Sequence, residues 1–589
     1  MRDFYKLRSF LSEYKKQLII GPFFKLTEAI FELIIPVIMA RLIDKGINGN
    51  DVTYIFKMSG LMLLLAVLGL ICAVICQYSA SVASQGFGTK VRNALFRHIG
   101  SFSYEELDSF GVSTLTNRIT NDVNQLQFAV AMLIRLVIRA PFLCIGGLIA
   151  AILIDAKLAV VFAIAIPLFT LILTVIMKQA ARLYKLVQKR LDQVALIVNE
   201  NLGGVRVIRA FDKVDGENQR FSDAADLHKA ANIKVGWLSA LTSPATTLIM
   251  NFAVIAIIWF GGVRVTGGAM TQGQVIAFIS YMNQILQALI IVAMLVTIYT
   301  RAFASAGRVV KIFETKPSIE DKGRKDHLHL HHASIEFKDV GFAYGTAKDG
   351  GETALEGVSF TVNPGETIGI IGLTGSGKST LINLLSRFYD PTMGQILING
   401  MDTKEILPKY LRKAIGLVPQ KAVLFSGTIE SNLRMGDNAV TKKDLDEALD
   451  IAQAQEFVQT LQEGIKTKVA RGGENFSGGQ KQRLTIARAL VKRPAVLILD
   501  DASSALDFAT ESRLRNALRI KTADLTVFII SQRVSSVQHA DQIIVLDDGK
   551  LAGMGTHHEL RKNCPIYLEI CNATESNGQA DEVKEVTAR

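Results

Sequence analysis

The chain has 589 residues, of which 49% are hydrophobic and 20% are charged, and its formal net charge at pH 7 is +11. This length exceeds what a single hydrophobic core supports, so at least two domains are expected. Many of the lysines and arginines flank long apolar runs, as in residues 178–190. That distribution is typical of the cytoplasmic loops of membrane proteins, and it argues against nucleic acid as the partner.

Six apolar runs occupy the first half of the chain, and each approaches the length of about 20 residues that a helix needs to cross a bilayer. They are residues 18–42, 58–83, 133–154, 158–177, 240–262 and 275–299. The breaks after the first, third and fifth runs are short, whereas those after the second and fourth are long, polar and rich in helix-forming residues. We therefore expect an α-helical six-span transmembrane domain over residues 1–310, with long helical extensions on the cytoplasmic side only.

Two segments in the long breaks combine turn residues with a short amphipathic helix. They are Ser109 to Val123 and Glu200 to Phe221. Such segments suit a groove in another domain, and the alternative is an ordinary solvated loop.

Charged residues inside the apolar runs are expensive to bury in hydrocarbon and should face the helix bundle or a wet cavity. Lys25, Glu28 and Glu32 share one face of the first run, and Arg135 and Arg139 lie four residues apart in the third. These groups either pair as structural salt bridges, or Glu28 or Glu32 contacts a cationic amphiphilic cargo.

A polar linker is expected over residues 311–332, followed by a soluble α/β domain over 333–570 and a polar tail over 571–589. The linker ends in a histidine cluster, His327, His329, His331 and His332. A solvated strand edge explains this alternation better than a metal site does.

The stretch from Gly365 to Thr380 reads GETIGIIGLTGSGKST and contains G-x-x-x-x-G-K-S starting at Gly372. An apolar strand precedes the motif and a helix-forming run follows it, which is the context that a phosphate-binding loop requires. Its backbone N–H groups and the helix N-terminus favour phosphate. Lys378 is expected to contact the β- and γ-phosphates of ATP, and Ser379 to bind Mg²⁺. A later apolar strand ends in Asp500, whose carboxylate is expected to hold the same Mg²⁺.

The order of the phosphate-binding loop, VPQ, FSGGQ, LILDD and SALD resembles the nucleotide-binding domain of ATP-binding cassette (ABC) transporters. With the six runs, nearly the whole chain resembles a type I (type IV) ABC exporter half-transporter. The resemblance implies an ATP site, with Mg²⁺, formed by these residues: Tyr344, Gly372, Thr374, Gly375, Ser376, Gly377, Lys378, Ser379, Thr380, Ser477, Gly478, Gly479, Gln480 and Asp507. It further implies that Tyr344 stacks on adenine, that Gln420 senses Mg²⁺ and the attacking water, and that the signature Ser477–Gln480 contacts ATP held by a partner.

Two positions depart from that family. The residue after the Mg²⁺ aspartate, a glutamate in active members, is Asp501, and the switch histidine is replaced by Gln532. The carboxylate of Asp501 is one methylene shorter than that of glutamate, and the amide of Gln532 cannot become cationic. Both differences predict a site that binds ATP well and hydrolyses it poorly. The chain thus resembles the degenerate-site subunit of heterodimeric bacterial multidrug exporters. Its partner would be a second, non-identical half-transporter with the consensus glutamate and histidine, and a homodimer with slow chemistry is the alternative.

These patterns predict an ATPase that exports hydrophobic or amphiphilic compounds across the bacterial cytoplasmic membrane, with hydrolysis mainly at the partner's site. A dedicated exporter of lipid or peptide is the second hypothesis. An ATP-gated channel or regulator that does not pump is the third.

Overall fold

The computed structural model describes residues 2–319, 332–345, 352–437, 439–522 and 524–573. The chain divides into two compact units. The helical unit comprises Met1–Gly100 and Gly111–Lys316, and the α/β unit comprises Ser101–Phe110 and Pro317–Arg589. His327, His329 and His331 of the histidine cluster lie outside the described residues.

Long helices account for most of the first 316 residues. Their bounds are α1 Arg2–Lys6, α2 Lys15–Arg41, α3 Val52–Ile99, α4 Tyr104–Phe110, α5 Val112–Asn117, α6 Val123–Met132, α7 Arg139–Ile154, α8 Val160–Gly203, α9 Val205–Ala210, α10 Val214–Ala240, α11 Thr242–Thr266 and α12 Gln272–Glu314. Tight or wide helical turns extend several of them, at Leu7–Tyr14, Leu42–Ile47, Arg118–Asp122 and Leu133–Val137. The helix α4 belongs to the α/β unit and the others to the helical unit.

Within the described part of the chain, five helical segments are long and apolar enough to cross a membrane, and they correspond to the second to sixth predicted runs, the fourth of which starts two residues before its segment. They are Val52–Ile99, Val112–Ile154, Val160–Gly203, Val214–Thr266 and Gln272–Glu314. The prediction of six spans is not confirmed for the first run, which forms α2. Lys25, Glu28 and Glu32 lie in the middle of this helix, so every stretch of 18 residues within it contains at least three charged residues.

The charges of α2 are paired. Lys25 Nζ lies 2.7 Å from Glu28 Oε2 one turn away, and both side chains are less than one-fifth exposed. Arg139 of α7 donates to both oxygens of Glu32, at 2.7 and 2.8 Å. Each carboxylate therefore faces a cation inside the bundle, which is the structural arrangement that the sequence left open.

Aromatic and aliphatic side chains of α8, α11 and α12 form the core of the helical unit. Phe162 and Phe278 meet edge to face at 5.7 Å between ring centroids. Tyr281 is fully buried, and its hydroxyl donates to the carbonyl of Leu33 at 2.7 Å. The polar end of this tyrosine thus ties α12 to α2 without leaving a buried group unsatisfied.

The strands and remaining helices belong to the α/β unit. The strands are β1 Ile335–Ala343, β2 Thr353–Val362, β3 Thr367–Ile371, β4 Met393–Ile398, β5 Met401–Asp402, β6 Ile415–Val418, β7 Gly427–Thr428, β8 Lys468–Val469, β9 Val496–Asp500, β10 Thr526–Ile530, β11 Gln542–Asp547 and β12 Lys550–Gly555. The helices are α13 Lys378–Leu385, α14 Pro408–Ala414, α15 Ile429–Arg434, α16 Lys442–Ile451, α17 Gln455–Thr460, α18 Gly478–Leu490, α19 Phe508–Lys521, α20 Val534–Val537 and α21 His557–Asn563. A further helix covers 565–573 and includes buried Cys571, the residue at which the polar tail was expected to begin.

The larger sheet, as traced through the described residues, has six strands in the order β12-β11-β3-β10-β9-β6. The strands β11, β3, β10, β9 and β6 are parallel to their neighbours in this order. Their apolar runs are buried on both faces, as in a sheet covered by helices. This order places the carboxyl ends of β3, β10, β9 and β6 side by side at one edge, where ligands of such folds bind.

The helix α4 packs on the α/β unit through aromatic contacts. The ring of Tyr104 stacks on Phe388 at 4.4 Å between centroids, and the Tyr389 hydroxyl donates to Asp108 at 2.5 Å. Buried Glu106 accepts hydrogen bonds from the backbone N–H groups of Ser103 and Ser318, at 2.9 and 2.8 Å. These contacts come mainly from residues that precede the predicted contact segment, Ser109 to Val123, and the contact of that segment with another domain stays a prediction.

Candidate nucleotide site

The phosphate-binding loop runs from the end of β3 to the start of α13. Gly375 and Gly377 have φ angles of +87° and +95°, which only glycine adopts freely. A Cβ on Gly377 would lie 2.7 Å from the Ala354 carbonyl, and one on Gly372 would lie 2.2 Å from that of Leu546. The loop is therefore a close-fitting cradle whose shape depends on the absence of these side chains.

Lys378 opens α13 and turns back over the loop. Its Nζ donates to the carbonyls of Gly372 and Leu373 at 2.8 and 2.7 Å. Burial lowers the pKa of Lys378, and the charges of Asp500 and Asp501 oppose that shift. The carbonyl oxygens that this buried ammonium contacts are neutral. A bound phosphate would give it anionic partners, which form stronger hydrogen bonds with an ammonium.

Two aspartates end β9. Burial, and secondarily the charge of Asp501, raise the pKa of Asp500. Asp501 has a φ of +46°, a left-handed conformation that aspartate tolerates better than most residues, and its N–H donates to Ile530 at 2.9 Å. Gln420, two residues after β6, donates from Nε2 to Asp501 Oδ2 at 3.4 Å. Adjacent strand ends thus bring these groups together across large sequence separations.

A cavity of about 440 Å³ gathers most of the predicted site residues. Those that line it are Tyr344, Thr374, Gly375, Ser376, Gly377, Lys378, Ser379, Thr380, Gln420, Asp500, Asp501 and Gln532. Predicted residues outside the lining are Gly372, Ser477, Gly478, Gly479, Gln480 and Asp507. The two substituted positions, Asp501 and Gln532, therefore share one cavity with Lys378 and Asp500.

Tyr344 lies at one side of this cavity. Its hydroxyl is 3.0 Å from Thr380 Oγ1, and its ring meets Phe342 and Tyr389 edge to face at 4.9 and 5.5 Å. These contacts hold the ring in place while leaving it 39% exposed. A fixed, partly exposed aromatic face suits stacking on a base.

The FSGGQ stretch begins α18 on another surface of the unit. Ser477 caps the helix by accepting from the N–H of Gln480, whose side chain accepts in turn from the N–H of Ser477. Ser477 and Gly478 are exposed. Asp507 caps α19, and hydrogen bonds from the backbone and side chain of Thr510 lower its pKa.

Sequence reasoning missed Tyr389, which touches both Tyr344 and Asp108. Its place after the phosphate-binding helix, in the stretch RFYDP, carried no local signal of that double contact. Burial and the Asp108 hydrogen bond raise the pKa of this tyrosine, so its hydroxyl stays protonated at neutral pH. Ser531 and Ala354 also line the cavity and were not predicted.

The residues present fit a magnesium-bound nucleotide. The glycine cradle leaves room that a Cβ would fill, and one buried lysine faces two carboxylates whose mutual repulsion a divalent cation would relieve. Ser379, Gln420 and Asp500 offer the oxygen ligands that Mg²⁺ prefers. When bound, Mg²⁺ would neutralise charge on the phosphates.

Comparisons with known proteins agree with this arrangement. Residues 18–289 match the family described as ABC transporter transmembrane region, and residues 355–504 match the family described as ABC transporter. An uncharacterized ABC transporter ATP-binding protein of Mycobacterium tuberculosis is 38% identical over 571 residues, 96% of this chain and 97% of that protein. The putative export ATP-binding/permease protein of Rickettsia typhi is 31% identical over 580 residues, 96% of this chain and 98% of that protein.

Among solved structures, that of a bacterial Atm1-family ABC exporter with ATP bound is similar over 96% of this chain and 99% of its own. The TM-score is 0.76 and the sequence identity is 25%. The helical unit and the α/β unit thus both have counterparts in one exporter fold.

Proposed function

Because the chain belongs to the ABC transporter family, as a multi-pass membrane exporter with a cytoplasmic ATP-binding domain, we propose that it is the degenerate half of a heterodimeric exporter. Its own site would bind ATP and hydrolyse it slowly. Its cargo would be hydrophobic or amphiphilic compounds. The observation that carries this proposal is that Asp501 and Gln532 line the same cavity as Lys378 and Asp500.

The proposal of slow chemistry rests on the reach of Asp501. The backbone of this residue is held by the Ile530 carbonyl, and its carboxylate is engaged by Gln420 at 3.4 Å. With the backbone in this position, the carboxylate lies about 1.3 Å short of where a glutamate would place it, the projection of one C–C bond. A misplacement of about 1 Å in a catalytic group can lower the rate about 100-fold.

Gln532 adds a second deficit. Its amide can donate a hydrogen bond to a γ-phosphate, but unlike histidine it never carries a positive charge. Electrostatic stabilisation of the developing charge in phosphoryl transfer is thereby reduced, while binding of the ground state is affected less. Both substitutions act on hydrolysis, and the glycine cradle and Lys378 that serve binding are intact.

The proposal of a heterodimer rests on the signature helix. Ser477 and Gly478 lie outside the chain's own cavity, at an exposed and well-capped helix start suited to a phosphate. In this arrangement they would complete a competent site whose phosphate-binding loop, glutamate and histidine belong to a different subunit. Hydrolysis there would drive transport by alternating access.

A homodimer and a dedicated lipid or peptide exporter are the competing proposals. A direct experiment isolates the transporter from its native membrane through a tag on this chain and identifies what accompanies it. A second half-transporter in equal amount, and ATPase activity that collapses when the partner's catalytic glutamate is changed to glutamine, support the proposal. A homodimer with brisk ATPase activity refutes it.

A further inference from the structure

The helical unit contains a polar cavity of about 610 Å³ between α3, α6 and α12. Side chains that line it include Gln85, Asn124, Gln127, Arg135, Thr297 and Arg301. We call it the inner cavity. A second cavity of about 520 Å³ shares Ser81 and Arg135 with it and adds apolar surface from Val74 and Tyr78. Each cavity by itself is within the size range of sites for drug-sized ligands.

The inner cavity lies at the cytoplasmic ends of three spans. Ser81 is near the end of the second predicted run, Arg135 near the start of the third and Thr297 near the end of the sixth. The C-terminal end of the sixth run precedes the ATP-binding domain in the chain, so this end faces the cytoplasm. A ligand could therefore enter from the cytoplasm or from the inner leaflet.

Among the described residues, the charged side chains that line the inner cavity are Arg135 and Arg301, and both are positive. No carboxylate lines either cavity in the described part of the chain. The nearby carboxylates already have cations: Glu28 has Lys25, Glu32 has Arg139, and Asp122 has Arg308. Arg135 and Arg301 have no carboxylate within salt-bridge distance among the described residues.

Arg92 strengthens this positive field. Its Nη2 donates to Asn124 Oδ1 at 2.5 Å and to Gln127 Oε1 at 3.2 Å, and both acceptors line the inner cavity. Those two amides are thus held with their oxygens on Arg92 and their N–H groups free to donate. Arginine forks and amide N–H groups are the donors that bind oxyanions most strongly.

We propose that the inner cavity binds the oxyanion headgroup of an amphiphilic cargo, with Arg135 and Arg301 as its principal ligands and the adjoining apolar surface taking the tail. This inference rests on the proposed export of amphiphiles and names their charge. It reverses the sequence hypothesis of a cationic cargo held by Glu28 or Glu32, whose carboxylates are occupied by Lys25 and Arg139. A carboxylate, phosphate or sulfate on a free amphiphile, or the phosphate of an inner-leaflet lipid, has the required chemistry.

The test measures binding without nucleotide, using the transporter isolated through a tag on this chain and placed in nanodiscs of zwitterionic lipid. Dodecyl phosphate and dodecyltrimethylammonium, which share a tail and differ in charge, each compete against a fluorescent fatty acid. Dodecyl phosphate should bind saturably and the cation should not compete. Arg135→Gln or Arg301→Gln should weaken binding of the anion about tenfold, and the double variant about 100-fold, the loss expected of charge-assisted hydrogen bonds.

Arg182→Gln is the matched control, because Arg182 is an exposed arginine of α8 that does not line the cavities. Arg301→Glu should shift preference toward dodecyltrimethylammonium, which a merely structural role would not do. Equal binding of both amphiphiles, or affinity for the anion unchanged in the double variant, overturns the inference. If anionic lipid displaces dodecyl phosphate, the natural ligand is the headgroup of a lipid. If dodecyl phosphate stays bound in the presence of anionic lipid, the natural ligand is a free amphiphile.

Different results refute the proposed export function and the proposed anion-binding site. If anion binding is lost as expected in the variants but ATP drives no accumulation of any amphiphile in inverted vesicles, export of amphiphiles is refuted and the site stands. If amphiphiles are pumped and dodecyl phosphate does not bind, only the present inference is refuted.

Discussion

Restoring the longer carboxylate at position 501 and a histidine at position 532 should convert this chain's slow ATP site into a fast one. The double variant Asp501→Glu with Gln532→His supplies a carboxylate about 1.3 Å farther from the backbone and a side chain that can become cationic. Moving a catalytic group back by about 1 Å into its productive position should raise the hydrolysis rate about 100-fold, which corresponds to about 2.7 kcal/mol of activation free energy. The side chain at 501 already faces Gln420 at 3.4 Å, so the added length extends into the lined cavity.

The assay measures single-turnover ATP hydrolysis by the isolated transporter. The catalytic glutamate of the partner is changed to glutamine, so that the measured hydrolysis comes from this chain's site alone. Affinity for ATP should change by no more than about twofold, because the cradle and Lys378 are untouched. The left-handed backbone of Asp501 disfavours glutamate and should cost about 1 kcal/mol of stability. Asp548→Glu is the control for that strain, since exposed Asp548 has nearly the same φ, 44° against 46°.

A rate in the double variant equal to that of the wild type would refute the reasoning that geometry at Asp501 limits hydrolysis. An already fast wild-type rate, measured with the partner's site disabled, would refute it equally.

Three further predictions follow from the contacts of the α/β unit. Tyr344→Ala should weaken ATP binding in equilibrium titrations by about 1–3 kcal/mol if the ring stacks on adenine, whereas Tyr344→Phe should retain most of the affinity; equal losses in both would point to the Thr380 contact instead. Gly377→Ala should abolish ATP binding, because its Cβ would lie 2.6 Å from Leu355 Cδ2 at a φ of +95°, while Gly216→Ala, which meets nothing within 4 Å, should leave binding intact. Tyr389→Phe removes the hydrogen bond to Asp108 and should lower the free energy of local opening of Ser101–Phe110 by about 1.5–3 kcal/mol. The amides of this segment should then exchange hydrogen faster, whereas the control Tyr410→Phe should not change their rates. Unchanged exchange in Tyr389→Phe would contradict this attachment of the segment.

Local patterns determined the parts of this protein that depend on short stretches of chain. Apolar runs of bilayer length mark five helices, because hydrocarbon leaves the backbone no partner other than its own helix. The loop around Lys378 is recognisable because a tight phosphate cradle needs glycines at set spacings between a strand and a helix. The charged residues of α2 could also be read from the sequence, and because of them no 18-residue stretch of this helix has as few charges as the five long apolar segments have.

Tertiary structure decided which distant groups meet. The strand order places Gln420 beside Asp501 and brings Gln532 into the same cavity as Lys378, since parallel strands far apart in sequence end at one edge of the sheet. Packing likewise brought Tyr389 together with Tyr104, Phe342 and Tyr344, because burial of a ring selects partners by shape and leaves no signal in the adjacent residues. The pairing of Glu28 and Glu32 with cations depends on how the helices are rotated against each other. The same holds for Arg135, which has no carboxylate partner among the described residues. Charge balance is a property of three-dimensional neighbourhoods, and a linear count of charges does not contain it.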